Sequence, residues 1–298
     1  MTADLIGPLL RDVSRSFYLT LRVLPREIRP QISLAYLLAR ASDTIADAGG
    51  VERAERVAIL REFSEGRASA RRFAERLGVA EATPSEAKLL EHLPAVLESL
   101  ATFSADDRSR IWELLQIIVS GQIFDLERFH GKPLTDDELD RYTYMVAGCV
   151  GEFWTKMCAA HVRGLEEWKA GRMEELGVRF GKGLQLVNVL RDIGEDRRRG
   201  RQYLPNLDDY QRWLDRAVEH LEAGWEYTLA IPPAQWRLRL ACIWPICIGL
   251  RTIALLRSSN PRDPVRVAIS RGGLRNHAAI VVRGAARLCA RCGVWPAA

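Results

Sequence analysis

The chain has 298 residues, 48% hydrophobic and 27% charged, an ordinary soluble composition with length enough to bury a large core. Its formal charge of +5, from 43 basic and 38 acidic residues, and its pI near 9.0 favour anionic ligands or anionic membrane surfaces. The arginines are spread along the whole chain rather than gathered into one arm, which excludes a dedicated nucleic-acid segment.

The start, Met1-Thr2-Ala3-Asp4, lacks the basic beginning and apolar run of a secretory signal. Strand signals are nearly absent, and apolar residues recur at three and four instead, as in Ile111, Leu114, Leu115, Ile118 and Val119, or Leu184, Val187 and Leu190. Breakers at Pro25 to Pro30, Gly49-Gly50, Pro84, Gly131-Lys132-Pro133, Gly200 to Pro205, Pro232-Pro233 and Asn260 to Pro264 divide the chain into helices. Helix starts are predicted at Ser104, before Asp106 and Asp107, and at Thr135, where Glu138 completes a capping box. The longest apolar run, Leu240 to Leu250, is interrupted by Pro245 and bounded by Arg239 and Arg251, too short to cross a bilayer. Cys149, Cys158, Cys242, Cys247, Cys289 and Cys292 lie mostly in apolar helical stretches and read as free thiols in a reducing cytoplasm. No break is long or polar enough to be a linker, so residues 1–298 are expected to form one all-α domain of roughly ten helices.

Two acidic motifs about 150 residues apart stand out: Asp43-Thr44-Ile45-Ala46-Asp47 and Asp192-Ile193-Gly194-Glu195-Asp196. Each sets aspartates at i and i+4, on one helix face, where like charges destabilise unless a cation screens them. Arg40 lies one turn before the first pair and Arg191 adjoins the second. Both pairs continue almost wholly apolar segments, where unpaired carboxylates are expensive. Both also fall near helix C-termini, where the macrodipole is already negative. Carboxylates without histidine or cysteine suit Mg²⁺ bridging to phosphate oxygens. Gln185, Asn188 and Arg191 track one face toward the second pair. Gly121-Gln122-Ile123-Phe124-Asp125 sets polar groups on an apolar helix, equally suited to lining a cavity or to packing. Gly181-Lys182-Gly183 begins like a dinucleotide fingerprint, but no strand precedes it and Leu186 replaces the last glycine.

Ordered blocks spanning residues 14–205 resemble the squalene/phytoene synthases, the head-to-head prenyl synthases. The blocks are Ser14-Arg15-Ser16-Phe17, then Tyr36 with Arg40, Asp43 and Asp47, then Tyr142 to Gly151, and then Gln185, Asn188, Arg191, Asp192, Glu195 and Asp196 followed by Gly200-Arg201, Tyr203 and Pro205. The resemblance implies an all-α isoprenoid-synthase fold around a central cavity, with the two acidic motifs facing each other at its mouth. It implies Mg²⁺ held by Asp43, Asp47, Asp192 and Asp196 with Glu195 as helper, and two farnesyl diphosphates as substrates. Arg15, Arg40 and Arg191 would meet diphosphate oxygens, and Ser16, Phe17, Tyr36, Gln185, Asn188, Arg201 and Tyr203 would belong to the substrate site. Tyr142 would assist proton transfer and steady the cation. Breaking an allylic C–O bond leaves a carbocation, which needs dry, apolar walls with π faces; Phe17, Tyr36, Phe124, Phe129, Tyr142 and Phe153 are the candidates.

Within the family, Cys242-Ile243-Trp244-Pro245 with Leu250 and Thr252 resembles squalene synthases, which reduce their intermediate with NADPH. Asp192-Ile193-Gly194-Glu195-Asp196 resembles the second motif of phytoene synthases, which need no reductant. Phytoene, dehydrosqualene and presqualene diphosphate synthases are therefore the alternatives to squalene synthase. Ala46 stands where many squalene synthases carry glutamate. Val265 to Gly272 resembles the basic strip that contacts NADPH phosphates, with Ala268 and Ser270 where charge is expected. The resemblance lacks the C-terminal membrane helix of eukaryotic squalene synthases. The basic, mildly amphipathic stretch 275–293 suits either peripheral contact with anionic lipid at the inner membrane surface or ordinary packing. A non-catalytic helical scaffold and a terpene cyclase acting on one diphosphate are the competing classes.

Overall fold

The computed structural model describes residues 2–14, 17–66, 83–128, 132–169 and 171–259, and their side chains from residue 7 onward apart from that of residue 169. Arg15, Ser16, Phe129, the strip 265–272, the stretch 275–293 and the pair Cys289 and Cys292 lie outside the described residues. Among the described residues there is no strand. The all-α expectation holds. Two compact units divide the chain, Met1–Arg128 and Phe129–Ala298.

In the first unit the helices are α1 (Thr2–Val13), α2 (Tyr18–Val23), α3 (Arg29–Ala46), α4 (Arg53–Ser64), α5 (Pro84–Glu91), α6 (Leu93–Leu100) and α7 (Ala105–Arg128). Helix α3 is the hub, packed on α1, α2, α4, α5, α6 and α7. Pro30 sits in its first turn, where a missing N–H costs nothing. Ile32, Leu34, Leu37, Leu38, Ala41 and Ile45 are all buried, so the helix is apolar almost all round. Burying each of its large side chains stabilises the unit by roughly 1.5–3 kcal/mol. It ends at Asp47, whose N–H bonds back to the carbonyls of Asp43 and Ile45, just ahead of Gly49 and Gly50. Helix α7 begins where expected, with Ser104 Oγ accepting from the Asp107 N–H. Pro84 does not merely break the chain: it opens α5, behind a complete Thr83–Glu86 capping box.

In the second unit the helices are α8 (Asp136–Thr143), α9 (Cys149–His161), α10 (Arg172–Arg198), α11 (Tyr210–Ala230) and α12 (Trp236–Leu256), with a π turn at Tyr144–Gly148 joining α8 to α9. The Thr135–Glu138 capping box forms as expected. Helix α10 is the hub here, against α8, the π turn, α9, α11 and α12. Gly177 and Gly181, one turn apart on α10, meet Gly151 and Ala147 so closely that a Cβ on Gly151 would stand 1.8 Å from the Gly177 carbonyl oxygen. A Cβ on Gly181 would stand 2.1 Å from the carbonyl oxygen of Ala147. The stretch dismissed as a nucleotide fingerprint therefore belongs to a backbone-to-backbone crossing.

Pro245 lies inside α12 rather than ending it. The segment Pro233–Leu256 is long and apolar enough to cross a bilayer by length and composition, which the shorter run Leu240 to Leu250 did not suggest. Half of its most apolar window is buried. Within it, Arg239 is buried and donates to the carbonyls of Ile231 and Leu229, and Gly249 packs on Leu221 of α11. A packed core helix has these properties.

Candidate active site

In the first unit the acidic pair occupies the C-terminal end of α3. Asp43 lies within the helix and Asp47 caps it. Arg40, one turn earlier, approaches Asp43 to 3.6 Å and forms an ion pair with Glu86 of α5. Glu86 uses its second oxygen on the Thr83 cap, accepting from the backbone N–H at 3.0 Å and from Oγ1 at 2.7 Å. From α7, Gln122 donates to Asp43 Oδ1 at 2.7 Å and to Ser42 Oγ at 3.0 Å. The surrounding protein pushes Asp43 up to about 6 although its side chain remains 47% exposed. Arg40 and the Gln122 bond oppose that rise, and the like charge of Asp47 adds to it. A divalent cation would relieve both the burial cost and the repulsion. Phe17 stacks on Tyr36, centroids 5.3 Å apart, so two aromatics expected to line the substrate site already touch.

In the second unit α10 carries the other motif. Asn188 donates to Gln185 at 3.4 Å, placing both on one face, half-buried. Arg191 closes on Asp192 with two bonds, at 2.9 and 2.5 Å. Glu195 is held by Arg198 at 2.6 Å and Arg199 at 3.1 Å, and Arg198 foremost draws its carboxyl below the usual range. Asp196, Arg201 and Tyr203 line one small cleft with Val189 and Ile193. Tyr203 also stacks on Tyr142, centroids 4.9 Å apart, and accepts a long hydrogen bond of 3.4 Å from its hydroxyl. Both tyrosines are buried. Phe153 is buried too, while Phe124 of α7 is half-buried.

The structure thus gathers Phe17, Tyr36, Arg40, Asp43 and Asp47 in one unit. It gathers Tyr142, Gln185, Asn188, Arg191, Asp192, Glu195, Asp196, Arg201 and Tyr203 in the other. Ser42 and Glu86 were not singled out in the sequence. The Thr83-Pro84-Ser85-Glu86 spacing of a capping box was the available signal for Glu86. Among the described residues no three of Asp, Glu, His or Cys cluster into a closed metal cage. Paired carboxylates with arginines beside them instead fit Mg²⁺, which is commonly held by one or two carboxylates with phosphate oxygens and water completing its shell.

Comparison with known proteins places the chain among relatives. The family model described as squalene/phytoene synthase matches residues 10–209. The squalene synthase BSS of Botryococcus braunii is 29% identical over 188 residues, 63% of this chain and 39% of that protein. The 15-cis-phytoene synthase of Synechocystis is 29% identical over 204 residues, 67% of this chain and 54% of that protein. The chain therefore matches about half or less of the length of these relatives. The solved complex of TcSQS with BPH1237 superposes with a TM-score of 0.74 at 20% identity, over 90% of this chain and 82% of that one, and shows the isoprenoid-synthase fold. With the family model covering most of the chain, including both acidic motifs, this protein belongs to the squalene/phytoene synthase family.

Proposed function

We propose that the chain is a Mg²⁺-dependent head-to-head prenyltransferase, a squalene synthase that joins two farnesyl diphosphates through presqualene diphosphate and reduces the product with NADPH. The observation that carries this reading is that each aspartate pair stands near a helix C-terminus with its own arginine against it, Arg40 on Asp43 and Arg191 on Asp192. Helix stability disfavours that placement, and holding a cation with a diphosphate gives it a purpose. Asp43 and Asp47 in the first unit, and Asp192 and Asp196 with Glu195 in the second, would hold the metal ions. The Mg²⁺ held there would supply positive charge against the leaving diphosphate, which lowers the barrier to ionisation. Arg40 and Arg191 exchange their carboxylate partners for diphosphate oxygens, which a planar guanidinium binds in a fork. As the allylic C–O bond breaks, its electron pair departs with the diphosphate. Each unit holds one stacked aromatic pair, Phe17–Tyr36 in the first and Tyr142–Tyr203 in the second, whose π faces suit a carbocation. On this reading the Tyr142 hydroxyl, buried and bonded to Tyr203, would receive and return the proton.

A second reading, a phytoene- or dehydrosqualene-type synthase that loses a proton and needs no reductant, is favoured by the phytoene-type sequence Asp192-Ile193-Gly194-Glu195-Asp196. Incubation of the purified protein with farnesyl diphosphate and Mg²⁺, with and without NADPH, separates the two. Squalene formed only with NADPH supports the first reading, and dehydrosqualene formed without it supports the second. Absence of diphosphate release under both conditions rejects both.

A further inference from the structure

Gln122 lies in the middle of α7, among the buried apolar residues Ile118, Val119 and Leu126, and is itself only 7% exposed. A buried amide is costly unless its polar atoms are bonded. Its Nε2 carries two hydrogens, and both go to the acidic end of α3, to Asp43 Oδ1 at 2.7 Å and Ser42 Oγ at 3.0 Å. Ser42 Oγ donates its own hydrogen to the Ala39 carbonyl, so it accepts from Gln122, and an ionised Asp43 can only accept. These two acceptors fix which end of the amide is nitrogen. The other end, Oε1, is buried without a hydrogen-bond partner. A methionine or leucine would fill the same space without that cost, so packing does not account for the glutamine.

We infer that Gln122 is a positioning residue for Asp43. Its neutral amide holds Oδ1 and so fixes the carboxylate plane, leaving Oδ2, beside Arg40, to receive the cation. Holding Oδ1 with a neutral donor orients the group without cancelling its charge, as a second arginine would. This inference rests on the reading of Asp43 as a magnesium ligand.

The test is Mn²⁺ binding to the full chain, followed by electron paramagnetic resonance with inorganic pyrophosphate present, so that no turnover is needed. Replacing Gln122 by methionine removes one hydrogen bond to a charged group and is expected to weaken Mn²⁺ binding about tenfold. The Mg²⁺ concentration giving half-maximal diphosphate release rises by a similar factor, about tenfold, while KM for farnesyl diphosphate at saturating Mg²⁺ stays within about twofold. In an Asp43→Asn background the same Gln122→Met change has no further effect, because it acts through Asp43. If Gln122→Met does not fold, Gln122→Leu takes its place in both backgrounds. Undiminished Mn²⁺ binding in the folded single variant, or equal losses in both backgrounds, overturns the inference and leaves the proposed function standing. A wild-type protein that binds no Mn²⁺ in the presence of pyrophosphate overturns both.

Discussion

Arg191 and Asp192, neighbours in the chain, face each other in a two-pronged ion pair, with Nε 2.9 Å from Oδ1 and Nη2 2.5 Å from Oδ2. Both Asp192 oxygens are therefore engaged by a residue expected to hold the substrate. On the proposed function, an incoming diphosphate would offer the guanidinium a more highly charged partner, and the exchange would free Asp192 for the cation that accompanies it. Arg191→Lys keeps the charge and loses the fork. It is expected to lower kcat/KM about 10- to 100-fold, the equivalent of one or two hydrogen bonds to a charged group. Its Tm should move little, since partly exposed ion pairs contribute little to stability. A kcat/KM within twofold of wild type would show that Arg191 serves the fold alone.

Asp47 gives the sharpest separation of function from stability. It caps α3 at the negative end of the helix dipole, exposed, one turn from the like charge of Asp43. Asp47→Asn removes the repulsion and should stabilise the protein by about 0.3–1 kcal/mol, seen as a small rise in Tm. The same change should cut diphosphate release by roughly 100-fold or more, the loss typical when a group that stabilises developing charge is removed. Activity and Tm moving in opposite directions is the expected outcome. A parallel fall in both would make Asp47 a structural residue.

The glycines between α9 and α10 are a packing requirement with a graded response. A Cβ at Gly151 or Gly181 would meet backbone atoms, at 1.8 Å from the Gly177 oxygen and 2.1 Å from the Ala147 oxygen. Backbone cannot step aside without separating the helices. Gly151→Ala and Gly181→Ala should therefore each cost about 3 kcal/mol or more. At Gly148 the nearest atoms are side-chain carbons of Tyr144 at 3.0 Å and Lys182 at 3.1 Å, which can shift. Gly148→Ala should cost less than about 1 kcal/mol. Thermal melts of the three variants check the order, and similar Tm values for all three would refute the crossing.

Much of this was legible in the sequence, and the rest was hidden for definite reasons. The 3.6-residue apolar rhythm located α7 and α10, and the acidic pairs fell near the helix ends as spacing and the following breakers implied. The contact between Asn188 and Gln185 also followed from spacing. What a helix face packs against is not written in its own rhythm. Gln122 reaches Asp43 across 79 residues and Glu86 reaches Arg40 across 46, so neither partnership could be read locally. The π turn at Tyr144–Gly148 has no compositional mark, because it arises where α8 and α9 meet α10. Gly181 read only as part of a failed nucleotide fingerprint because the carbonyl it accommodates, that of Ala147, lies in the π turn. Pro245 looked like a break, yet α12 continues through it under the packing of α11.

His220 on α11 makes the pH dependence of stability specific. It is 4% exposed, and its Nδ1 has no hydrogen-bond partner. Burial foremost, then the nearby charges of Arg216, Lys182 and Arg179, lowers its pKa to about 4 from the ordinary 6.5, with Asp140 opposing. The folded protein therefore keeps this imidazole neutral where the unfolded chain has already taken a proton. Between pH 6.5 and 4 the unfolded state binds more protons, so stability rises with pH across that window. Read downward, this contribution is intact above about 6.5, is lost as pH falls toward 4, and changes no further below the folded value. His220→Gln removes the titrating group. Its Tm should fall less than that of wild type between pH 6.5 and 4, and the two curves should run parallel above pH 7. Because the carboxylates titrate in both proteins, the difference between the curves isolates the histidine. Curves that stay parallel down to pH 4 would show that His220 accepts its proton in the folded state, which the three surrounding cations and the closed packing against Gly183 oppose.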